Sequence, residues 1–426
     1  MKIILINRYL YPDESATSRM TSSLASALAA RGFDVVGLAS RDVHNDPQRR
    51  LPADDRVGDL AIHRLATSRF GRSRLWGRAI DYLSFHVSAA LWTLLHARRG
   101  DVCVVCTDPP MLSVTLALPL RLKGARMVNW LHDLFPEVAL ELGVPGTGRF
   151  GSIALRLRDW SLARAERNVA PIEAMTRLLG RRGIPARTLA TIRHWADGDG
   201  IRPVRREDNA LRRDWDLTDK FVVGYSGNFG RAHEFDTILA AAERLKDRPD
   251  IRFLFIGNGH KRATVERWIR DHGLDNVVFR PFQPRERLAE SLGAADAHLV
   301  SLLPSLESCI IPSKFYGILA AGRPTLFVGD LDGEVARAVA HGDCGHAVAI
   351  GDAEGLARHI LALREAPATC DRMAANARRL FEAEYTEARG CTEWIGLMDS
   401  LLPRPAANAD PGRIAEPRLA RERKAS

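Results

Sequence analysis

Apolar and polar positions along this chain alternate between two periods. Short runs rich in β-branched and aromatic residues recur, and each is followed by a stretch whose apolar positions return every three or four residues. In the first half, Met1–Asn7, Val35–Leu38, Val102–Val105 and Met127–Trp130 read as buried strands. In the second half the strands are Phe221–Tyr225, Ile251–Ile256, Val277–Phe279, Ala297–Leu302 and Thr325–Val328. Helices are expected over 18–30, 76–97, 112–122, 234–246, 260–271, 285–293, 313–321, 333–340 and 353–364, and again from Asp371 to Leu402. This alternation predicts an α/β fold with parallel sheets and crossover helices, in which ligands sit beyond the carboxyl ends of the strands.

A chain of 426 residues is longer than one core usually serves, so two domains of roughly 200 residues each are expected. The polar stretch Ala196–Asn209, with Asp-Gly-Asp-Gly and Pro203, is the natural boundary. After Pro403 periodicity ends in a Pro/Ala/Arg-rich tail of disordered character.

Composition is that of a soluble globular enzyme, with 46% hydrophobic and 27% charged residues. The net charge of +9 is concentrated: residues 69–99 carry six Arg against Asp81, and 149–167 carry five Arg against Asp159 and Glu166. The basic segments lack a nucleic-acid recognition motif, so nucleic acid is not an expected partner. Met1–Asn7 is too short an apolar run for a secretory signal. The six cysteines show no disulfide or metal spacing and fit reduced thiols in the cytoplasm. The run from Tyr82 to Leu95 is apolar and flanked by arginines; it suits a core helix or an interfacial one, and Asp81, His86 and His96 argue against a spanning helix.

Candidate chemistry centres on Pro312–Pro324, where Pro-Ser opens a short apolar helix and Gly322 with Pro324 closes it. Ser313 could cap the first turn, and free backbone N–H groups there would suit phosphate. Lys314 adds a positive charge that the helix dipole disfavours, which points to an anionic ligand. Glycine turns follow two strands, at Gly227-Asn228-Phe229-Gly230 with Arg231 beyond, and at Gly257-Asn258-Gly259. They match neither a P-loop nor a dinucleotide fingerprint. His132 and Asp133 end a strand, where either reactive groups or satisfied polar residues occur. The loop before the first helix, with Ser15, Ala16 and Thr17, either admits a substrate to the backbone or is a capped loop. Of the two Asp-x-Asp pairs, Asp197/Asp199 falls in the linker, and Asp330/Asp332 reads as a helix cap leading to Glu334, so no metal is expected.

Taken together, the motifs Tyr9-Leu10-Tyr11-Pro12 with Ala16-Thr17, Thr107-Asp108-Pro109-Pro110, His132 to Glu137, Arg193 to Asp197, Gly224 to Asn228 and Pro312 to Gly317 resemble family 4 glycosyltransferases of bacterial surface-polysaccharide assembly, the colanic acid type. The resemblance runs from Met1 to about Leu402. It implies the GT-B fold: a Rossmann-like acceptor domain over 1–200 facing, across a cleft, a Rossmann-like donor domain over 201–385. A closing helix, 386–402, would pack back on the first domain, ahead of the tail 403–426. It further implies retaining transfer from an NDP-sugar, UDP- or GDP-linked, to a saccharide on polyprenyl diphosphate, with no cofactor. The enzyme would sit peripherally on the inner face of the bacterial plasma membrane, drawn to anionic lipid by segments 69–99 and 149–167. By the same resemblance, His132, Arg231 and Lys314 would be catalytic. Gly227, Asn228, Gly257, Phe282, Gln283, Glu307, Ser308, Pro312, Ser313 and Glu334 would hold the donor, and Ser15, Ala16, Thr17, Arg19 and Asp133 the acceptor. The family's paired glutamates would fall near Cys309 and Gly317, and neither is Glu here; Glu307 or Glu334 is the candidate replacement. That departure keeps two other readings open, a nucleotide-sugar 2-epimerase and a non-catalytic nucleotide-sugar-binding subunit.

Overall fold

The computed structural model describes residues 1–44, 46–71, 75–144 and 147–402, so the tail beyond Leu402 lies outside the described residues. The chain divides into two compact units: Met1–Leu140, Pro145–Ile192 and Ala388 onward form one, and Arg193–Glu387 with Glu141–Val144 form the other.

The first unit is built on an eight-stranded sheet. Its strands run in the order Leu189–Thr191, Arg167–Ala170, Arg126–Trp130, Val102–Cys106, Lys2–Ile6, Asp34–Ser40, Leu60–Leu65 and Asp54–Val57. All neighbours are parallel except the last pair. The central strand reads Ile-Ile-Leu-Ile because helices cover both its faces, so every residue from Ile3 to Ile6 is buried. The second unit holds six parallel strands in the order Val277–Arg280, Ile251–Ile256, Phe221–Ser226, Ala297–Ser301, Thr325–Val328 and Gly345–Val348. Tyr225, Phe229, Phe235, Phe255 and Phe279 form an aromatic cluster in its core, with ring centres about 5–6 Å apart.

Three expectations need revision. The second unit starts at Arg193 rather than 201, because the linker is bound into it. Ala196 bridges Thr386, Asp197 pairs with Arg285 at 2.9 Å, and Arg378 donates to the Ile201 carbonyl. The helical stretch Asp371–Leu402 is two helices, Pro367–Glu384 and Glu387–Leu401, broken where the Tyr385 carbonyl accepts from the Ala196 N–H. From Ala388 the second of these belongs to the first unit, with Trp394 buried 4.7 Å from the Trp130 ring. The expected helix over 285–293 opens as a 3-10 turn, Arg285–Arg287, before Leu288–Gly293. All six cysteines are buried and none is joined to another.

Candidate active site

In the second unit the neighbouring strands Phe221–Ser226 and Ile251–Ile256 are each followed by a glycine. Gly227 has φ of 136° and Gly257 φ of 150°, a backbone that side chains with a Cβ rarely adopt. The two turns touch: the Gly227 N–H donates to the Ile256 carbonyl at 2.9 Å, and a Cβ on Gly257 would come within 1.9 Å of the Gly227 oxygen. A Cβ on Gly227 would lie 3.3 Å from Lys314 Cε. A side chain at this point would crowd the lysine stem, which lies against the turn.

Lys314 opens the helix Lys314–Ala320. Its Nζ donates to the Tyr225 hydroxyl, lies 3.8 Å from the Tyr225 ring centre, and sits 3.5 Å from His233 Nε2. His233 Nδ1 lies 2.6 Å from the Ser301 carbonyl oxygen, which can only accept, so Nδ1 carries the proton and Nε2 turns a lone pair to the lysine. Lys261 Nζ donates to the His233 carbonyl oxygen at 2.6 Å. Desolvation holds the Lys314 amine well below the usual lysine range. Desolvation, helped by the charges of Lys314 and Lys261, brings His233 down to about 3. Burial likewise pushes the Tyr225 phenol up. Among the described residues no carboxylate pairs with Lys314, so its partners are a phenol, a neutral imidazole and an aromatic face. An ammonium is expensive there until an anion arrives.

The second focus is Glu307, 7% exposed, in the loop after strand Ala297–Ser301. Its Oε1 accepts the backbone N–H of Glu334 at 2.6 Å, while Oε2 has no hydrogen-bond partner. Burial pushes the Glu307 carboxyl up to about 7, with Asp330 and Glu334 adding repulsion and the Glu334 N–H and Arg337 opposing the shift. The cap expected from Asp332 therefore comes from Glu307, far away in sequence. Glu334 itself starts the helix Glu334–Gly342 and faces Arg337 at 3.5 Å. Both candidate glutamates thus meet at one helix start.

The remaining predicted donor residues are more dispersed. Asn228 is exposed, and its carbonyl accepts from the Tyr225 hydroxyl at 2.8 Å. Arg231 is exposed and, among the described residues, makes no hydrogen bond or ion pair. Phe282 is exposed beyond strand Val277–Arg280, and Gln283 folds back onto the Pro281 carbonyl. Ser308 is half-buried and Pro312 buried. Ser313 corrects the expectation of a cap: it is exposed, has helical dihedrals (φ −58°, ψ −22°), and its hydroxyl makes no cap bond. Lys314 does stand at the helix start, and the structure adds that its amine is desolvated. Tyr225, Lys261 and the role of His233 escaped the sequence, because only the fold brings residues so far apart onto one amine.

In the first unit, Thr107 Oγ1 accepts the His132 N–H at 3.1 Å and also bonds the Asp133 side chain. Asp133 is desolvated, which raises its carboxyl above the ordinary range, and its Oδ1 has no hydrogen-bond partner. The His132 ring is buried 4.9 Å from that of Trp130. Ser15 takes the N-cap place of helix Ala16–Ala30, with extended backbone, but its hydroxyl and N–H both donate to Asp13 Oδ1, at 2.6 and 2.9 Å. Asp13 Oδ2 accepts the His44 N–H, so Asp13 pins this loop. Thr17 offers its carbonyl to the Thr21 hydroxyl, and Arg19 lies half-buried in the first turn. Neither hydroxyl caps the helix.

Two α/β units on largely parallel sheets, the second with glycine turns at strand ends and a lysine that has no carboxylate partner among the described residues, define a two-domain α/β protein. The family comparisons are specific. Residues 15–195 match the glycosyl transferase 4-like domain, and residues 207–380 match glycosyl transferases group 1. A protein named as a colanic acid biosynthesis glycosyl transferase, WcaI of Escherichia coli (strain K12), is 31% identical over 336 residues, 76% of this chain and 82% of that protein. WbjE of Pseudomonas aeruginosa, named as a glycosyltransferase, is 31% identical over 281 residues, 64% of this chain and 68% of that protein. Among solved structures, Anabaena HepE in complex with UDP-glucose superposes with a TM-score of 0.68 at 15% identity, over 94% of this chain and 100% of that one. The chain belongs to the glycosyltransferase family, and its fold is GT-B.

Proposed function

We propose that the chain is a retaining transferase that moves a sugar from a UDP- or GDP-linked donor to a saccharide carried on polyprenyl diphosphate, in assembly of a bacterial surface polysaccharide. The observation that carries this reading is Lys314, a desolvated amine without a carboxylate partner, set against the Gly227 turn at the carboxyl end of the second sheet. A relative named for colanic acid biosynthesis and a like-folded protein complexed with UDP-glucose support the substrate classes.

In this reading the donor C–O bond breaks through an oxocarbenium-like state while the acceptor hydroxyl approaches from the same face. Lys314, with Lys261 and Arg231 near the same turn, meets the charge growing on the departing diphosphate, so no metal ion is assigned to that task. His132 and Asp133 of the first unit serve the transferred sugar and the acceptor, with Ser15, Ala16, Thr17 and Arg19 around the latter. A lipid-borne acceptor sets the enzyme at the inner face of the bacterial plasma membrane, and the arginine-rich segments 69–99 and 149–167 support that location through attraction to anionic headgroups.

The test is a thermal-shift panel of nucleotide-sugars, followed by turnover of the best binder with and without a lipid-linked saccharide. Transfer that requires the acceptor is expected. Release of a free epimer without acceptor would replace this reading with an epimerase, and binding without any turnover would make the chain a non-catalytic partner.

A further inference from the structure

Three helices of the first unit share one outward side. His86 of helix Leu75–His96 bonds Thr115 at 2.7 Å and the Pro110 carbonyl at 3.1 Å, which ties it to helix Leu112–Lys123. Ser113 of that helix bonds Ser161 of helix Thr147–Leu162 at 2.9 Å. Helix Leu112–Lys123 packs against both of the others.

A surface helix normally turns polar residues outward. Here the first helix is apolar on both sides. Its inner stripe includes Phe85 and Ala89, fully buried. Its outer stripe, at seven- and four-residue steps, includes Trp76, Leu83, Val87, Leu91 and Leu95, each at least half exposed and Leu95 75%. Leu118 and Leu122 continue the surface on the second helix, at 58% and 68% exposure. Phe150, Ile153, Leu157 and Trp160 complete it on the third. Exposed apolar side chains scattered singly need no explanation, but these eleven stand on helices packed one against the next.

Charge decides what covers it. The only acids of the three helices, Asp81 and Asp159, are both engaged inward. Asp81 accepts from Ser68 and from the Phe70 and Gly71 N–H groups, and Asp159 pairs with Arg158 and Arg182. Exposed cations stand on or just beyond these helices, at Arg98, Arg99, Arg121, Arg156 and Arg164, the last lying 4.6 Å over the Trp160 ring. A second copy of the chain would meet like charge on this side, whereas anionic headgroups would not.

We propose that this three-helix side inserts into the hydrocarbon boundary of an anionic bilayer, with the arginines among the headgroups. The inference deepens the reading of a lipid-linked acceptor and rests on it for the choice of a bilayer. It differs from surface attraction alone, because Leu118 and Leu122 lie outside both arginine-rich segments and insertion resists salt. Among the described residues no helix is long and apolar enough to cross a membrane.

The experiment is flotation of the full chain with vesicles of phosphatidylglycerol and phosphatidylethanolamine, at low salt and at high salt, with tryptophan quenching by lipids brominated in the acyl chains. Binding that survives high salt is expected, with quenching that is lost in a Trp76→Phe/Trp160→Phe variant. The variant Leu91→Ser/Leu95→Ser/Leu118→Ser/Leu122→Ser should lose about tenfold or more of its partitioning while keeping its circular dichroism and its binding of UDP or GDP. No vesicle binding, binding abolished by salt without quenching, or a lipid-free dimer disrupted by the same four substitutions would each overturn the proposal. Failure of every nucleoside diphosphate to bind would instead overturn the transfer reading and leave the vesicle result standing.

Discussion

Replacing Glu307 by Gln should make the protein more stable at alkaline pH and nearly unchanged in acid. The substitution keeps an oxygen to accept the Glu334 N–H but removes a buried charge whose second oxygen has no partner. Burial raises the folded-state value from 4.5 to about 7. Below pH 4.5 the carboxyl is protonated in the folded and the unfolded chain, and wild type carries no penalty. Between 4.5 and 7 only the unfolded chain is ionised, so stability falls as pH rises; above 7 the penalty is complete. At 1.36 kcal/mol per unit, that penalty is about 3 kcal/mol, of which about 2–3 develops between pH 5 and pH 8. Urea unfolding followed by circular dichroism, for wild type and Glu307→Gln at both pH values, reads the difference. A gap between the two proteins that stays constant with pH, or a variant less stable at pH 8, would refute the reasoning.

Other substitutions probe the rest of the account. Lys314→Ala and Arg231→Ala should each lower sugar transfer by about 100-fold or more with the fold intact, read by initial rates and circular dichroism. Gly227→Ala should cost about 1–3 kcal/mol of stability and weaken donor binding, because a Cβ meets both the left-handed backbone and Lys314; thermal melts and donor titration check it. Arg158→Ala leaves Glu137 and Asp159 with only the half-exposed Arg182 and should cost about 1–3 kcal/mol, visible in urea unfolding.

Much of the fold was legible because a strand buried on both faces writes itself as an unbroken apolar run, as Ile3–Ile6 and Phe253–Ile256 do. Three of the four edge strands of the two large sheets escaped, Val277–Arg280 being the exception. Gly345–Val348 and Leu189–Thr191 are short and half-buried, and their residues carry no period that sets them apart from loop. In the site, the glycine turns and Lys314 stood out locally, since glycine after a strand and a lysine at a helix start each break a local preference. What surrounds Lys314 did not. The pairings with Tyr225 and His233 span 89 and 81 residues, and the Glu307–Glu334 contact spans 27. Such contacts are set by strand order, which no local pattern encodes. The same holds for the outward apolar side: the run on Leu75–His96 suits either a core or an interfacial helix in sequence, and only the fold leaves one stripe of it exposed.

The most direct test of the central claim is calorimetric titration of the full chain with UDP and with GDP near neutral pH, repeated in two buffers of different ionisation enthalpy. A desolvated Lys314 without an anionic partner should take up a proton as the diphosphate arrives. The account predicts tight binding of at least one nucleotide, proton uptake reported as a buffer-dependent enthalpy, and loss of both in Lys314→Met. Binding that is unchanged in Lys314→Met, or a chain that takes up neither nucleotide, would contradict it.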